Sequence, residues 1–497
     1  MTTDVSLEGA RHEVLAENTA QAVHKHLSKL FQEAARFRSR WVWELLQNAR
    51  DASPEEGVSI SLTQLNDRLI FRHNGMPFTQ KGVAHLIYHG STKYDFSGPS
   101  LIGQFGTGFL TTHLISKTVM VKGIMDDGRH FEFLLDRRGE DADHLKAAMN
   151  ASWVAFTKSL VEPAVNEANG LSTEYEYPLA SGSVSDVVAE GIADLITNAS
   201  YLLAFNDKIR SVKVEQPDRS VIVEKIACQQ INEIAQCFNI REQSPINDLS
   251  SRYVAVIVND GTSVAVEIAK DGASWSVSEQ GHVPRIFVAF PLTGTRDFCL
   301  PIVINNDKLQ PREERDTLFL GPNSEGMQNQ NMIYMEHAFD LGAQLVMLGT
   351  ADGWGGAASL LKLSPLRQCD WIDENWLRTQ IAERFISRLR AVEVLTTSFG
   401  GRIAPGTSMV PISDDSEICL DLWDIAMQIE EVSQQLPRRD EALIWVANLK
   451  SWAPFLSMSF EQLEESLTLE KVCEKVAIWG SVEEVRDRLS GSIDHLE

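Results

Sequence analysis

Ile102-Gly103-Gln104-Phe105-Gly106-Thr107-Gly108-Phe109 is the stretch on which the reading of this chain turns, and the apolar, helix-like Leu110 to Ile115 follows it directly. A glycine-rich turn that opens a helix exposes backbone N–H groups and the positive end of the helix dipole, an arrangement suited to phosphate. It is not a Walker loop, because no Gly-Lys-Ser/Thr follows. By itself such a turn is weak evidence, since nucleotide folds and plain tight turns both use one.

Upstream, Glu44, Asn48 and Asp51 sit at i, i+4 and i+7 of a helical pattern. At about 100° per residue, the three fall within roughly 60° of arc, so one helix face presents carboxylate, amide and carboxylate. Leu45, Leu46 and Ala49 point the other way, toward a core. A solvated helix face has the same look. Between this stripe and the glycine turn lies Arg72-His73-Asn74-Gly75-Met76-Pro77-Phe78, directly after a strand.

Around these motifs the periodicity predicts a helical segment from Leu15 to Ala52, stopped at Ser53-Pro54 because the residue before proline is pushed out of the helical region. Strands are expected at Val58 to Leu62 and Leu69 to Phe71, then at Thr118 to Gly123 and His130 to Leu135 around the turn Asp126-Asp127-Gly128. Residues 141–170 are ambiguous, Ser172 to Tyr177 alternates as a strand, and Val184 to Ile196 repeats as a helix. A strand-rich region runs from Ile209 to Ile304, and the pattern is helical after Gly321, with Gly349 to Gly356 read as a hinge into that tail. Ser459-Phe460-Glu461-Gln462 and Ser481-Val482-Glu483-Glu484 fit capping boxes. Three blocks result: an α/β block over 1–205, a β-rich α/β block over 206–320 and an α-helical region over 321–497. Trp423, Trp445, Trp452 and Trp479 are expected in the core of the last.

At 497 residues the chain is multidomain, and 43% hydrophobic with 23% charged residues excludes a wholly disordered or collagen-like polymer. No apolar run reaches the ~20 residues of a membrane span, and Met1-Thr2-Thr3-Asp4 is acidic where a signal peptide is basic, so the expectation is a cytoplasmic protein without membrane partners. A net charge of -24 opposes non-specific binding to nucleic acid. The six cysteines contain no C-x-x-C pair and read as buried thiols; no Ser/His/Asp, Cys/His or metal-ligand cluster can be assigned.

In that order, polar-striped helix, strand-to-glycine turn and Gly-x-Phe-Gly-x-Gly-Phe, the motifs resemble the GHKL superfamily of ATPases, which includes gyrase, the large heat-shock chaperone, histidine kinases and MutL. Gly103 to Phe109 is most similar to the heat-shock-chaperone branch. His73-Asn74-Gly75-Met76-Pro77-Phe78 and Gly90-Ser91-Thr92-Lys93 are similar to the sacsin-type branch. The resemblance covers about residues 15 to 180. It implies a Bergerat fold, an α/β (α+β) sandwich with helices on one face of a mixed sheet, followed by a transducer-like domain.

The resemblance further implies ATP and Mg²⁺, with Glu44 as the general base, Asn48 as the magnesium ligand and Asp51 beside the nucleotide. It places Gly103, Gly106, Gly108 and Phe109 at the phosphates and Gly75 and Thr173 near the base, and makes Gly82 to Ser100 a mobile lid in which Lys93 reaches a phosphate. Most relatives have an aspartate where this chain has His73, accepting a hydrogen bond from the adenine amino group. A neutral imidazole can accept the same bond, but its other nitrogen donates and can face the oxygen of guanine. At the ~6.5 of an unperturbed ring, titration of His73 would also make nucleotide affinity pH-dependent. The alternative is a structural histidine capping the strand end. In the second block Leu300 to Asn306 runs into Asp307-Lys308-Leu309-Gln310-Pro311-Arg312-Glu313-Glu314-Arg315-Asp316, similar to the loop that sends a cation to the γ-phosphate; Arg312 and Arg315 are favoured over Lys308 because a guanidinium holds phosphate bidentately.

The expected function is a Mg²⁺-dependent ATPase whose nucleotide gates lid closure, homodimerisation or engagement of a protein client, in protein remodelling or bacterial antiviral defence. The alternatives are a non-hydrolysing nucleotide switch and a MutL-like DNA clamp, the latter in conflict with the charge.

Overall fold

A computed structural model describes residues 7–88, 108–162, 172–179, 186–231, 235–243, 250–312, 314–321, 326–367, 369–481 and 483–485. The chain is mixed α/β and packs as two units. The first comprises residues 1–228, 238–252 and 289–291, and the second comprises 229–237, 253–288 and 292–497. The strands beginning at Ile209 thus join the first unit, and the helical region joins the strands before it; composition alone separates three blocks.

In the first unit, helices α1 (Leu7–Gln32), α2 (Arg40–Asp51), α3 (Gln80–Tyr88), α4 (Ala142–Ser159) and α5 (Asp186–Phe205) accompany strands β1 (Val58–Gln64), β2 (Arg68–His73), β3 (Thr118–Ile124), β4 (His130–Asp136), β5 (Thr173–Pro178), β6 (Ile209–Glu215) and β7 (Ser220–Gln230). The strand order is β7-β6-β1-β2-β5-β3-β4. Only β1 and β6 are parallel in it; the other neighbours are antiparallel. Strand β5 enters between β2 and β3, pairing His73 with Thr173 and Gly123 with the same Thr173.

Alternation gives the sheet two unlike faces. Val58, Ile60, Leu62 and Gln64 of β1 are buried, as are Leu69, Phe71 and His73 of β2 and Thr173, Tyr175 and Tyr177 of β5. Arg72, Glu174, Lys122, Glu176 and Arg68, on the opposite side of the pleat, form a ladder of half-exposed ion pairs. Such pairs add little stability but keep that face wet, so the helices gather on the other.

Several expectations change at this level. The helical segment 15–52 is two helices, interrupted by a 3-10 turn at Ala34–Arg36 and a bend before Arg40. The ambiguous residues 141–170 contain α4, whose N-cap Asp141 accepts from His144 N–H. The apolar run after the glycine turn is the 3-10 helix Gly108–Leu114. Helix α5, the one described helix long and apolar enough to cross a membrane, has 61% of its apolar window buried inside the protein.

Strands β8 (Ala235–Gln243) and β9 (Ser250–Asn259) each have residues in both units, and within the second unit β9 pairs antiparallel with β10 (Thr262–Asp271) through residues 253–259. Strand β10 also pairs with β11 (Ser274–Val277) and, beyond β12 (Ile286–Val288) and the short β13 (Phe290–Pro291), with β14 (Val303–Asn305). Helix α6 (Met327–Ala351) opens the helical region, which also holds two two-stranded sheets. The expected hinge is closed on itself: Trp354 covers Gly349, and Gly355 hydrogen-bonds to β11 through Trp275 and Val277. Trp445 and Trp452 are fully buried, Trp423 is 8% exposed, and Trp479 is only half-buried. Both capping boxes form, Ser459 N–H donating to Gln462 and Ser481 N–H to Glu484. The cysteines are free, and contrary to expectation Cys228 and Cys473 are exposed.

Helix α2 meets α5 at a point with no room for a side chain. A Cβ on Gly191 would lie 2.4 Å from Trp41 Nε1. That nitrogen donates to Val187 O at 2.9 Å, and Trp43 Nε1 donates to Asp194 Oδ2 at 2.8 Å. Gly191→Ala should therefore destabilise the protein by about 1–3 kcal/mol, the usual cost of overpacking. Gly281→Ala, where an added Cβ meets nothing within 4 Å, should be neutral. Urea unfolding followed by tryptophan fluorescence checks both, and equal midpoints would show that the α2–α5 contact gives way freely.

Candidate functional site

Helix α2 carries the polar stripe. Glu44 is buried, 7% exposed, while Asn48 and Asp51 are half-buried. A carboxylate so enclosed needs compensation, and Arg40, one turn earlier, donates from Nε to Glu44 Oε1 at 3.2 Å. Its other oxygen abuts the start of the 3-10 helix: a Cβ on Gly108 would lie 1.8 Å from Glu44 Oε2. Only glycine lets the backbone approach this carboxylate. The Asn48 amide makes no side-chain hydrogen bond among the described residues, and Arg50 Nη1 lies 3.7 Å from Asp51 Oδ1.

At the C-terminal end of α2, Ala52 O accepts from Met76 N–H at 2.6 Å, which docks the turn after β2 against the helix. That turn is tied to its surroundings on both sides. Asn74 Oδ1 accepts from Ser59 N–H at 2.7 Å, and Ser172 Oγ donates to Gly75 O. Gly75 N–H donates to His73 Nδ1 at 3.1 Å, and a Cβ on Gly75 would fall 2.7 Å from that nitrogen and 2.9 Å from Ala52 O. His73 does cap its strand end, through Nδ1.

His73 and Thr173 face each other across β2 and β5 on the helix-covered side of the sheet, 4% and 2% exposed. Thr173 Oγ1 is buried with no hydrogen-bond partner among the described residues. Beside them Phe71 meets the rings of His73 and Tyr175, with centroids 6.1 and 6.4 Å away, and Phe109 meets Tyr175 at 5.2 Å. The contacts close a circuit: Glu44, Gly108, Phe109, Tyr175, the His73/Thr173 pair, Gly75, Ala52, and back along α2. Residues read from separate motifs thus share one place.

Lys93, Gly103 and Gly106 lie outside the described residues, as does most of the expected lid; its first part, 82–88, is helix α3. Arg312 and Arg315 belong to the second unit. Arg312 donates from Nη1 to Asp370 Oδ2 at 3.1 Å and from Nη2 to Asp370 O at 2.8 Å, and Arg315 has a left-handed backbone, φ 52°. Sequence reasoning passed over Arg40, though its i,i+4 spacing to Glu44 was visible, and Arg137, which stands in sequence between Asp136 and Arg138. Arg137 is 2% exposed, and its Nη2 donates to Leu86 O at 3.3 Å and Ile87 O at 2.5 Å, capping the end of α3; burial pushes its guanidinium down to about 10.

The chain matches no protein-family model and no curated protein. No group of three or more His, Cys, Asp or Glu poised to hold a metal occurs among the described residues.

Burial pushes the His73 imidazole down to about 4, which removes the expected titration near ~6.5. Because the folded value is the lower, an unfolded chain takes up this proton first as pH falls. Stability from neutral His73 is complete above pH ~6.5 and is lost progressively as pH falls toward about 4, by up to about 3 kcal/mol. His73→Gln should flatten the pH dependence of unfolding over that interval. Identical slopes for parent and variant in urea titrations at pH 4.5 and 7 would show that the ring protonates freely.

Proposed function

We propose that this protein is a Mg²⁺-dependent nucleoside triphosphatase of the GHKL type, with ATP the substrate its resemblance implies, working in the cytoplasm as a nucleotide-gated dimer or partner-engaging machine. The observation that carries the reading is the circuit joining Glu44 on the α2 stripe, Gly108 and Phe109 at the end of the glycine motif, and the β2–β5 edge, elements distant in sequence and adjacent in space. The fit to a nucleotide rests on this chain's own features: glycines at 75 and 108 where a Cβ would collide, and a buried Thr173 hydroxyl without a partner.

In this reading Glu44 takes the proton of the attacking water on its carboxylate, and Arg40 holds that carboxylate in position. Asn48 Oδ1, a hard oxygen one turn further along the same face, would hold Mg²⁺. The ion when bound would supply positive charge to the phosphate oxygens. Gly108 lets the backbone come close to the reacting groups, and Phe109 with Tyr175 keeps the floor of the site apolar. Arg312 and Arg315 are the proposed source of a further cation.

One observation favours a second reading, a nucleotide-binding switch with negligible turnover: Arg40 hydrogen-bonds one Glu44 oxygen, and the other lies close against the Gly108 backbone. Steady-state phosphate release separates the two. For the triphosphatase, Glu44→Ala should keep nucleotide binding and lose turnover by ~10²–10⁴-fold, the usual cost of losing a general base; hydrolysis at the parent rate would remove Glu44 from the chemistry.

Asn48→Ala should instead weaken nucleotide affinity only when Mg²⁺ is present. Calorimetry with the ion and with a chelator tests this, and equal affinities in parent and variant would return the stripe to an ordinary helix face.

A further inference from the structure

The resemblance implies adenine, but the hydrogen-bonding edge of this chain is built for a different base. A neutral imidazole has one nitrogen that donates and one that accepts. Gly75 N–H, 3.1 Å from Nδ1, occupies the accepting nitrogen, so the ring proton resides on Nε2, which makes no hydrogen bond among the described residues. Gly75 is essential to this tautomer, since a Cβ there would stand 2.7 Å from Nδ1. Directly opposite in the sheet is Thr173, whose buried, unpartnered hydroxyl can donate or accept. The edge therefore offers a fixed donor beside an adaptable hydroxyl.

We propose that His73 and Thr173 select a 6-oxopurine, guanine or hypoxanthine, over adenine, with His73 Nε2–H donating to O6 and Thr173 Oγ1 accepting from N1–H. This deepens, and rests on, the reading of the site as one for a nucleoside triphosphate with its base at this edge. Adenine carries an amino group in place of O6, and two N–H groups would face each other across a dry contact. A carboxylate in the place of the ring behaves differently: one oxygen accepts from Gly75 N–H, and the other remains an acceptor for an amino group.

The test is calorimetric titration of the full chain at pH 7.5 with the Mg²⁺ complexes of GTP, ITP and ATP. ITP has the 6-oxo group of guanine without its 2-amino group, so its rank isolates the 6-position. GTP and ITP should bind about tenfold or more tightly than ATP, the scale set by one buried donor left facing another. His73→Asp should reverse the order. His73→Asn, whose amide keeps an acceptor for Gly75 N–H and a donor for the base, should preserve it. If His73→Asp does not fold, the ITP-to-ATP ratio of the parent decides alone. ATP binding as tightly as ITP, or tighter, overturns the base assignment while leaving a nucleotide site in place; binding of none of the three overturns both.

Discussion

The buried carboxylate of Glu44 is the constraint on which the first unit's covered face depends. An ionised group removed from water must be paired or hydrogen-bonded, and here Arg40 on the preceding turn supplies the partner. The same carboxylate demands that the 3-10 helix begin with a residue lacking a side chain, which Gly108 provides. With that contact made, Phe109 lies on Tyr175 of β5, the strand that pairs with β2 on one side and β3 on the other.

Behind α2 a second close approach sets the helix against α5. Gly191 admits the Trp41 indole, and Trp41 and Trp43 each find an acceptor on α5 or its first turn. Helix α2 is thus held on both sides, by indoles behind and by glycine backbone in front. Its polar stripe is positioned by packing and does not rely on the weak preferences of exposed polar side chains. Preorganisation of this kind suits a catalytic face, where a misplacement of an ångström weakens the chemistry.

Much of this was legible before the structure. The alternation of β1, β2, β3 and β4 located strands within a residue or two, because one wet and one dry face impose a period of two. Glu44, Asn48 and Asp51 were recognisable because helical spacing puts them on one face. The break at residues 33–39 was missed, since Phe37 and Trp41 keep an apolar period across it and no proline or glycine marks it. Helix α4 was missed because its apolar residues are interleaved with alanine and polar residues, although Asp141 is a sound N-cap.

Backbone geometry and the hydrogen-bonding groups of single residues set which local conformations were available: the capping boxes, the turns, the two-faced strands and the polar face of α2. Tertiary structure alone decided what those faces meet. The tautomer of His73 depends on where Gly75 N–H points, and the depth to which the ring is buried depends on Phe71 and on the strand pairing that sets Thr173 opposite. Whether Arg137 is a surface charge or a buried cap depends on where α3 ends in space. These are contacts between residues 2 to 100 positions apart, and their energies depend on burial and on mutual orientation, neither of which exists until the chain has folded.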